Sequence, residues 1–124
     1  MPLSLYVVDD SPVIYQRLEA LLAAIEGTRL VGHAGAADTA TREILGLRPD
    51  AVVLDLNLER GSGFDVLRAV RPQAPEIDFY VLSNFAHAAY RRMAESLGAR
   101  GFFDKTQEFQ RLIALLAERA RLSL

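Results

Sequence analysis

Apolar residues follow two rhythms along this chain. The blocks Leu5-Tyr6-Val7-Val8, Ala51-Val52-Val53-Leu54, Phe79-Tyr80-Val81-Leu82 and Gly101-Phe102-Phe103-Asp104 are nearly continuous, whereas the stretches between them place apolar residues at three- and four-residue spacing. Short apolar blocks rich in β-formers suit strands, and the spaced stretches suit amphipathic helices. A weaker block at Leu30-Val31 supplies one more strand. Strands alternating with helices predict a parallel sheet built from five β-α units.

Local signals set the boundaries. The first helix is expected to start at Ser11 as N-cap with Pro12 at its first position, to bury Val13, Ile14, Leu18, Leu21, Leu22 and Ile25, to expose Gln16 and Glu19, and to stop at Gly27. The second runs from about Asp38 to Leu47 and ends at Arg48-Pro49, because a residue before proline disfavours helix. Asp50 opens the third strand, and Asn57 to Gly63 form a glycine-bearing loop. The third helix then turns Phe64, Leu67 and Val70 inward and closes at Arg71-Pro72. Ala86, Ala89, Tyr90, Met93 and Leu97 give the fourth helix its stripe, with Gly98 as C-cap. Thr106 is the expected cap of the last helix, whose buried face reads Phe109, Leu112, Ile113, Leu116 and Ala120.

Composition narrows the classes. With 124 residues, 51% of them hydrophobic and 24% charged, the chain fits a single domain spanning residues 1–124. A formal charge of -2 and a pI near 5.6 offer no basic footprint, so nucleic-acid binding by this chain alone is not expected. No run approaches the roughly 20 apolar residues of a membrane span, and Met1-Pro2-Leu3-Ser4 lacks the charged start of a secretory signal, so a cytoplasmic protein is expected. The absence of cysteine excludes disulfides and thiolate chemistry.

Candidate chemistry gathers where the strands end. Asp9-Asp10 follow the first strand, Asp55 the third, Ser83-Asn84 the fourth and Lys105 the fifth. Thirteen arginines serve the rest of the chain, so its one lysine marks a position that needs a compact ammonium. In an open parallel sheet a ligand sits beyond the carboxyl ends of the strands, where these residues converge. Asp9 and Asp10 suit a hard divalent cation that keeps positions for water and a phosphoryl group. Asp55 is the candidate nucleophile on phosphorus, with Lys105 as point charge and the Ser83 hydroxyl and Asn84 backbone N–H as neutral donors.

Plainer readings stand beside these. Asp9-Asp10 before Ser11-Pro12 could form a helix-capping turn alone, Asp38, Asp50 and Asp104 read as turn or cap residues, and Phe103 reads as core. His33 and His87 have no partners at metal-ligand spacing, and Arg91-Arg92 read as a solvated helix face or part of a partner surface.

Taken together, Asp9-Asp10 after Val-Val, Asp55 in Val-Leu-Asp-Leu-Asn-Leu, Gly63, Ser83 after Val-Leu and Lys105 in Gly-Phe-Phe-Asp-Lys resemble the receiver domain of bacterial two-component response regulators, over essentially the whole chain. The resemblance implies a flavodoxin-like, doubly wound, five-stranded parallel sheet in the order 2-1-3-4-5, flanked by five helices. It implies that Asp55 accepts a phosphoryl group from a sensor histidine kinase or phosphotransfer protein. Mg²⁺ (or Mn²⁺) would be held by Asp10 directly, Asp9 largely through water, Asp55, and the Asn57 backbone carbonyl. Ser83 and Lys105 would contact the phosphoryl oxygens. Phe102 takes the place of the switch aromatic, coupled to a surface of the fourth helix, fifth strand and fifth helix that meets a downstream protein partner. The implied chain is no enzyme beyond assisting its own phosphorylation and dephosphorylation, and dimerisation is left open. Glu59 and Thr106 stand where the family usually has proline, and Asn84 replaces a commoner alanine or glycine. Other readings are an interaction module independent of phosphorylation, the receiver piece of a longer transcriptional regulator, and an aspartate-nucleophile phosphohydrolase, whose second acidic residue Asp55-Leu56-Asn57 lacks.

Overall fold

The side chains of the first strand point alternately to two different cores, and that alternation organises the molecule. The computed structural model describes residues 2–123; Met1 and Leu124 lie outside them. Its elements are β1 Leu3–Val8, α1 Pro12–Ala23, β2 Thr28–Ala34, α2 Ala37–Leu47, β3 Ala51–Leu54, α3 Gly63–Val70, β4 Asp78–Ser83, α4 Ala88–Ser96, β5 Gly101–Asp104 and α5 Phe109–Ser123. The five strands pair in parallel in the order β2-β1-β3-β4-β5. This is the doubly wound, flavodoxin-like arrangement, with its topological switch between β1 and β3.

Strand residues two apart face the same way. Leu3, Leu5 and Val7 pack with Leu18 and Leu22 of α1 and with Leu112 and Leu116 of α5. Tyr6 and Val8 pack on the other face with Ile44 of α2 and Val66 and Leu67 of α3. Both faces are therefore dry, which is why the strands read as continuous apolar blocks rather than alternating ones. Tyr6 brings a phenol into that interior and donates its hydrogen bond to Glu43 Oε1 at 2.6 Å; burial, then the hydrogen bond and charge of that carboxylate, push its pKa well up. The ring needs Gly32 opposite, where an added Cβ would lie 2.9 Å from Tyr6 Cε2. There the β1–β2 register slips, from Leu5↔Leu30 to Tyr6↔Gly32.

Several boundaries follow the sequence signals. Ser11 caps α1 with Pro12 at its start, and Arg48 ends α2 in the left-handed conformation before Pro49. Ser62 and Asp65 form a reciprocal capping box at α3.

Others differ, for reasons of packing. Val13 is 73% exposed and leaves the α1 stripe, which rests on Leu18 and Leu22. In α3 the fully buried residues include Val66, and Phe64 is half-buried. On α4 part of the expected inward stripe is turned out: Tyr90 and Met93 are exposed, Leu97 packs half-buried against the core, and Ala94 is the fully buried residue. Ala94 is the α4 side chain that enters the core beside edge strand β5, and Tyr90 instead stacks with Phe64 at a centroid distance of 6.1 Å. Thr106 does not cap α5; the Asp104 carboxylate accepts from the Thr106 and Gln107 backbone N–H groups at 2.8 and 3.0 Å, and the helix begins at Phe109. The Lys105–Thr106 peptide is trans.

Candidate functional site

The register of the central strands brings the carboxylates together. Val8 pairs with Leu54, so the next residues, Asp9 and Asp55, leave the sheet side by side, and the Asp55 N–H donates to the Val8 carbonyl at 2.8 Å. Asp9 and Asp55 are buried, while Asp10 is exposed at the rim. One oxygen from each of Asp9, Asp10 and Asp55 can be chosen so that all lie within 4.8 Å of one another. Behind β3 the chain turns tightly at Gly63, where any Cβ would meet the Asp55 carbonyl oxygen at 2.3 Å. A side chain there would displace the strand end that carries the acid.

Lys105 arrives from β5. Its N–H donates to the Ser83 carbonyl at 3.0 Å, fixing the lysine to the end of β4. Its Nζ then reaches Asp9 Oδ2 at 2.8 Å and Asp55 Oδ2 at 3.0 Å, with the lysine side chain 8% exposed. Burial pushes the Asp55 pKa above the ordinary carboxylate value, with Asp9 adding to the rise; the Lys105 charge and the Asn57 N–H oppose it without cancelling it. For Lys105 burial disfavours the ammonium, but the hydrogen bond to Asp9 and the charges of Asp55 and Asp9 outweigh it, so its pKa is raised. The lysine is firmly cationic, and the buried acid is under charge stress.

Three carboxylates thus face one ammonium. The residual negative charge, the hard oxygen donors and the exposed Asp10 fit a small divalent cation that keeps some of its water. The donors of the cluster are carboxylate oxygens, which suit Mg²⁺ or Mn²⁺ better than zinc.

Of the residues singled out in the sequence, Asp9, Asp10, Asp55 and Lys105 meet directly. Asn57 is exposed and donates its N–H to Asp55 Oδ1 at 3.4 Å. Ser83 is fully buried, and its Oγ accepts from the Phe85 N–H at 3.0 Å; Asn84 beside it is exposed. Phe102 is half-buried against the core on the α2, α3 and α4 side.

Two features had no signal in the pattern of the chain. His33 stacks on Tyr15 at 3.8 Å, at the edge of a hollow of about 350 Å³ that also holds Asp10 and Glu59. The pairing Val7↔His33 puts the imidazole there, and a lone histidine in a sequence carries no register information. Arg91, read as part of a solvated helix face or of a partner surface, is partly exposed and also engaged with Phe102 of β5 and with Glu108 just ahead of α5.

An open doubly wound sheet with an acidic, cation-competent pocket at its switch point defines a receiver-type α/β module. The response regulator receiver domain model matches residues 5–117, and the chain belongs to that family. Among curated relatives, protein-glutamate methylesterase/protein-glutamine glutaminase 1 of Myxococcus xanthus (strain DK1622) is 30% identical over 118 residues, which cover 94% of this chain and 34% of the relative. A match to the protein of the same name from Syntrophus aciditrophicus (strain SB), 36% identical over 69 residues, covers 56% of this chain and 20% of that relative. The correspondence therefore concerns one part of longer proteins. In structure, the response regulator domain of Thermotoga maritima CheB superposes with a TM-score of 0.85 at 23% identity, covering 98% of this chain and 96% of that one. The complex of CheX with CheY, BeF3 and Mg²⁺ from Borrelia burgdorferi contains a chain matched at a TM-score of 0.80 and 19% identity, covering 93% and 90%. At these identities the likeness is one of fold.

Proposed function

We propose that this receiver domain accepts a phosphoryl group on Asp55 from a phosphohistidine of a sensor kinase or phosphotransfer protein, and that residues 1–124 act as one such unit. The observation that carries the reading is the Lys105 ammonium spanning Asp9 and Asp55 beside the Asp10 carboxylate. An Asp55 oxygen attacks phosphorus, the phosphorus–nitrogen bond breaks, and the departing imidazole keeps the bonding pair and takes up a proton. Asp9, Asp10, Asp55 and the Asn57 carbonyl would hold Mg²⁺, which when bound offsets the repulsion between Asp55 and the incoming phosphoryl oxygens. Lys105 offers its charge to those oxygens, and the Ser83 hydroxyl and Asn84 N–H orient them without adding charge. The activity is self-directed: the domain assists the making and breaking of its own acyl phosphate.

The readout is a population shift of the surface formed by α4, β5 and α5, with Phe102 as the switch aromatic. A downstream protein recognises that surface, in the cytoplasm where such kinases present their phosphohistidine. Intact mass after incubation with acetyl phosphate and Mg²⁺ tests the chemistry. One added phosphoryl group is expected in the wild type and none in Asp55→Asn; equal labelling of the variant would overturn the acceptor assignment.

A further inference from the structure

Each nitrogen of the Arg91 guanidinium has a partner, although the side chain is partly exposed. Its Nη2 meets Glu108 Oε1 at 2.7 Å, its Nη1 donates to the Phe102 carbonyl at 3.2 Å, and its Nε donates to the Ala86 carbonyl at 3.3 Å. Its Cζ lies 4.8 Å from the centroid of the Phe102 ring. One side chain on α4 therefore ties the loop that follows Ser83, the strand residue Phe102 and the start of α5. Glu108 extends the tie, because the same Oε1 accepts from the Asp104 N–H at 2.9 Å, next to Lys105. The Arg91 hydrogen bond above all, and then that N–H, hold the Glu108 pKa below the ordinary carboxylate value.

We propose that Arg91 is a positioning residue that latches Phe102 in the unphosphorylated arrangement, so that phosphorylation must break this latch to switch the surface; the inference rests on the receiver function proposed above. The physical reason is geometric. A phosphoryl group that draws in the Ser83 hydroxyl pulls on the chain three residues before the Ala86 carbonyl, while the Phe102 carbonyl and ring belong to β5. A planar, forked cation cannot follow both when they separate, so its contacts favour one arrangement over the other. A group that binds one state better shifts the equilibrium by that difference, and removing it releases the shift. Lysine in its place keeps the charge but not the fork.

The test uses the whole chain with Phe102 and the α4 amides resolved by NMR, and beryllofluoride with Mg²⁺ as probe. In Arg91→Ala without probe, the Phe102 resonances are expected to move from the wild-type free position toward the wild-type beryllofluoride position. The apparent affinity for beryllofluoride at fixed Mg²⁺ should tighten by roughly fivefold, the scale of a half-exposed ion pair plus a cation–π contact. Arg91→Lys should behave like the alanine variant, and Glu108→Gln, which leaves an acceptor in place, should move Phe102 the same way by less. Unmoved Phe102 resonances with unchanged affinity, or a weakened affinity, would overturn the latch. Should Arg91→Ala lose its dispersed core resonances, the isosteric Glu108→Gln decides in its place: a Phe102 shift toward the beryllofluoride position supports the latch, and an unmoved Phe102 overturns it. Acetyl phosphate labelling of the wild type reports on the phosphoacceptor reading separately: normal labelling with an unmoved Phe102 sinks the latch alone.

Discussion

At the residue scale, Asp55 and Lys105 are a pair in which the acid bears the strain. Because burial raises the Asp55 pKa, the folded chain holds that proton more tightly than the unfolded chain does. Between the ordinary carboxylate value and the raised folded value the native state carries more proton, so stability falls as pH rises through that window and is level above it. Asp55→Asn removes this cost. Thermal unfolding without divalent cation should therefore show a higher Tm for Asp55→Asn than for wild type at pH 7, with the gap closing toward pH 3; an equal or lower Tm at pH 7 would contradict the assigned strain. Lys105→Arg keeps the charge, yet it puts a planar fork in place of a compact ammonium that is buried between two acids. Labelling by acetyl phosphate should slow by roughly tenfold or more, by analogy with loss of an oriented donor, and a wild-type rate would show that charge alone suffices. Asp9, Asp10, Asp55 and Lys105 were legible in the sequence because each follows an apolar strand and strand ends share one edge. Arg91 was not, since Phe102 and Glu108, which it holds, are 11 and 17 residues away and no spacing on α4 distinguishes it from Arg92.

At the element scale, the loop after β3 and the helix α4 differ sharply in how firmly they are held. Gly63 has the Asp55 carbonyl where a Cβ would stand, and that obstacle is backbone. Gly63→Ala should destabilise the fold by roughly 1–3 kcal/mol in chemical denaturation, the usual cost of forcing a group against packed atoms. Among its residues α4 buries Ala94, with Tyr90 and Met93 exposed, whereas α3 buries Gly63, Val66, Leu67 and Val70. Regions with few buried contacts open most readily. Amides of α4 should accordingly exchange with deuterium faster than those of α3, and on adding beryllofluoride and Mg²⁺ the segment from Ser83 to Lys105 should shift more than α2. Shifts confined to Asp9, Asp10 and Asp55 would mean binding without switching. Periodicity located α4 but wrongly turned Tyr90 and Met93 inward. Three- and four-residue spacing says which residues share a side of a helix, and the neighbours decide which side is covered.

At the scale of the whole molecule, the site is a seam between distant parts of the chain, so a cation bound there should stabilise the fold as a unit. Mg²⁺ at about a hundred times its Kd should add roughly 2.7 kcal/mol, or about 10 °C in Tm for a domain of this size. EDTA should reverse the gain and Asp10→Asn should abolish most of it; a Tm indifferent to Mg²⁺ would argue against a metal at Asp9, Asp10 and Asp55. The strand blocks, the cap at Ser11, the stop at Arg48-Pro49 and the acids and lysine at strand ends are local facts, set by side-chain shape and backbone restriction within a few residues. Those the chain declares by itself, and β3 and β5 lie at the limits their apolar blocks mark. The slip of the β1–β2 register at Tyr6, the exposure of Val13, Tyr90 and Met93, the stacking of His33 on Tyr15 and the clasp of Arg91 on Phe102 arise between segments far apart in sequence. Only packing decided them, because burial depends on which surfaces meet and an isolated stretch of chain carries no record of its neighbours.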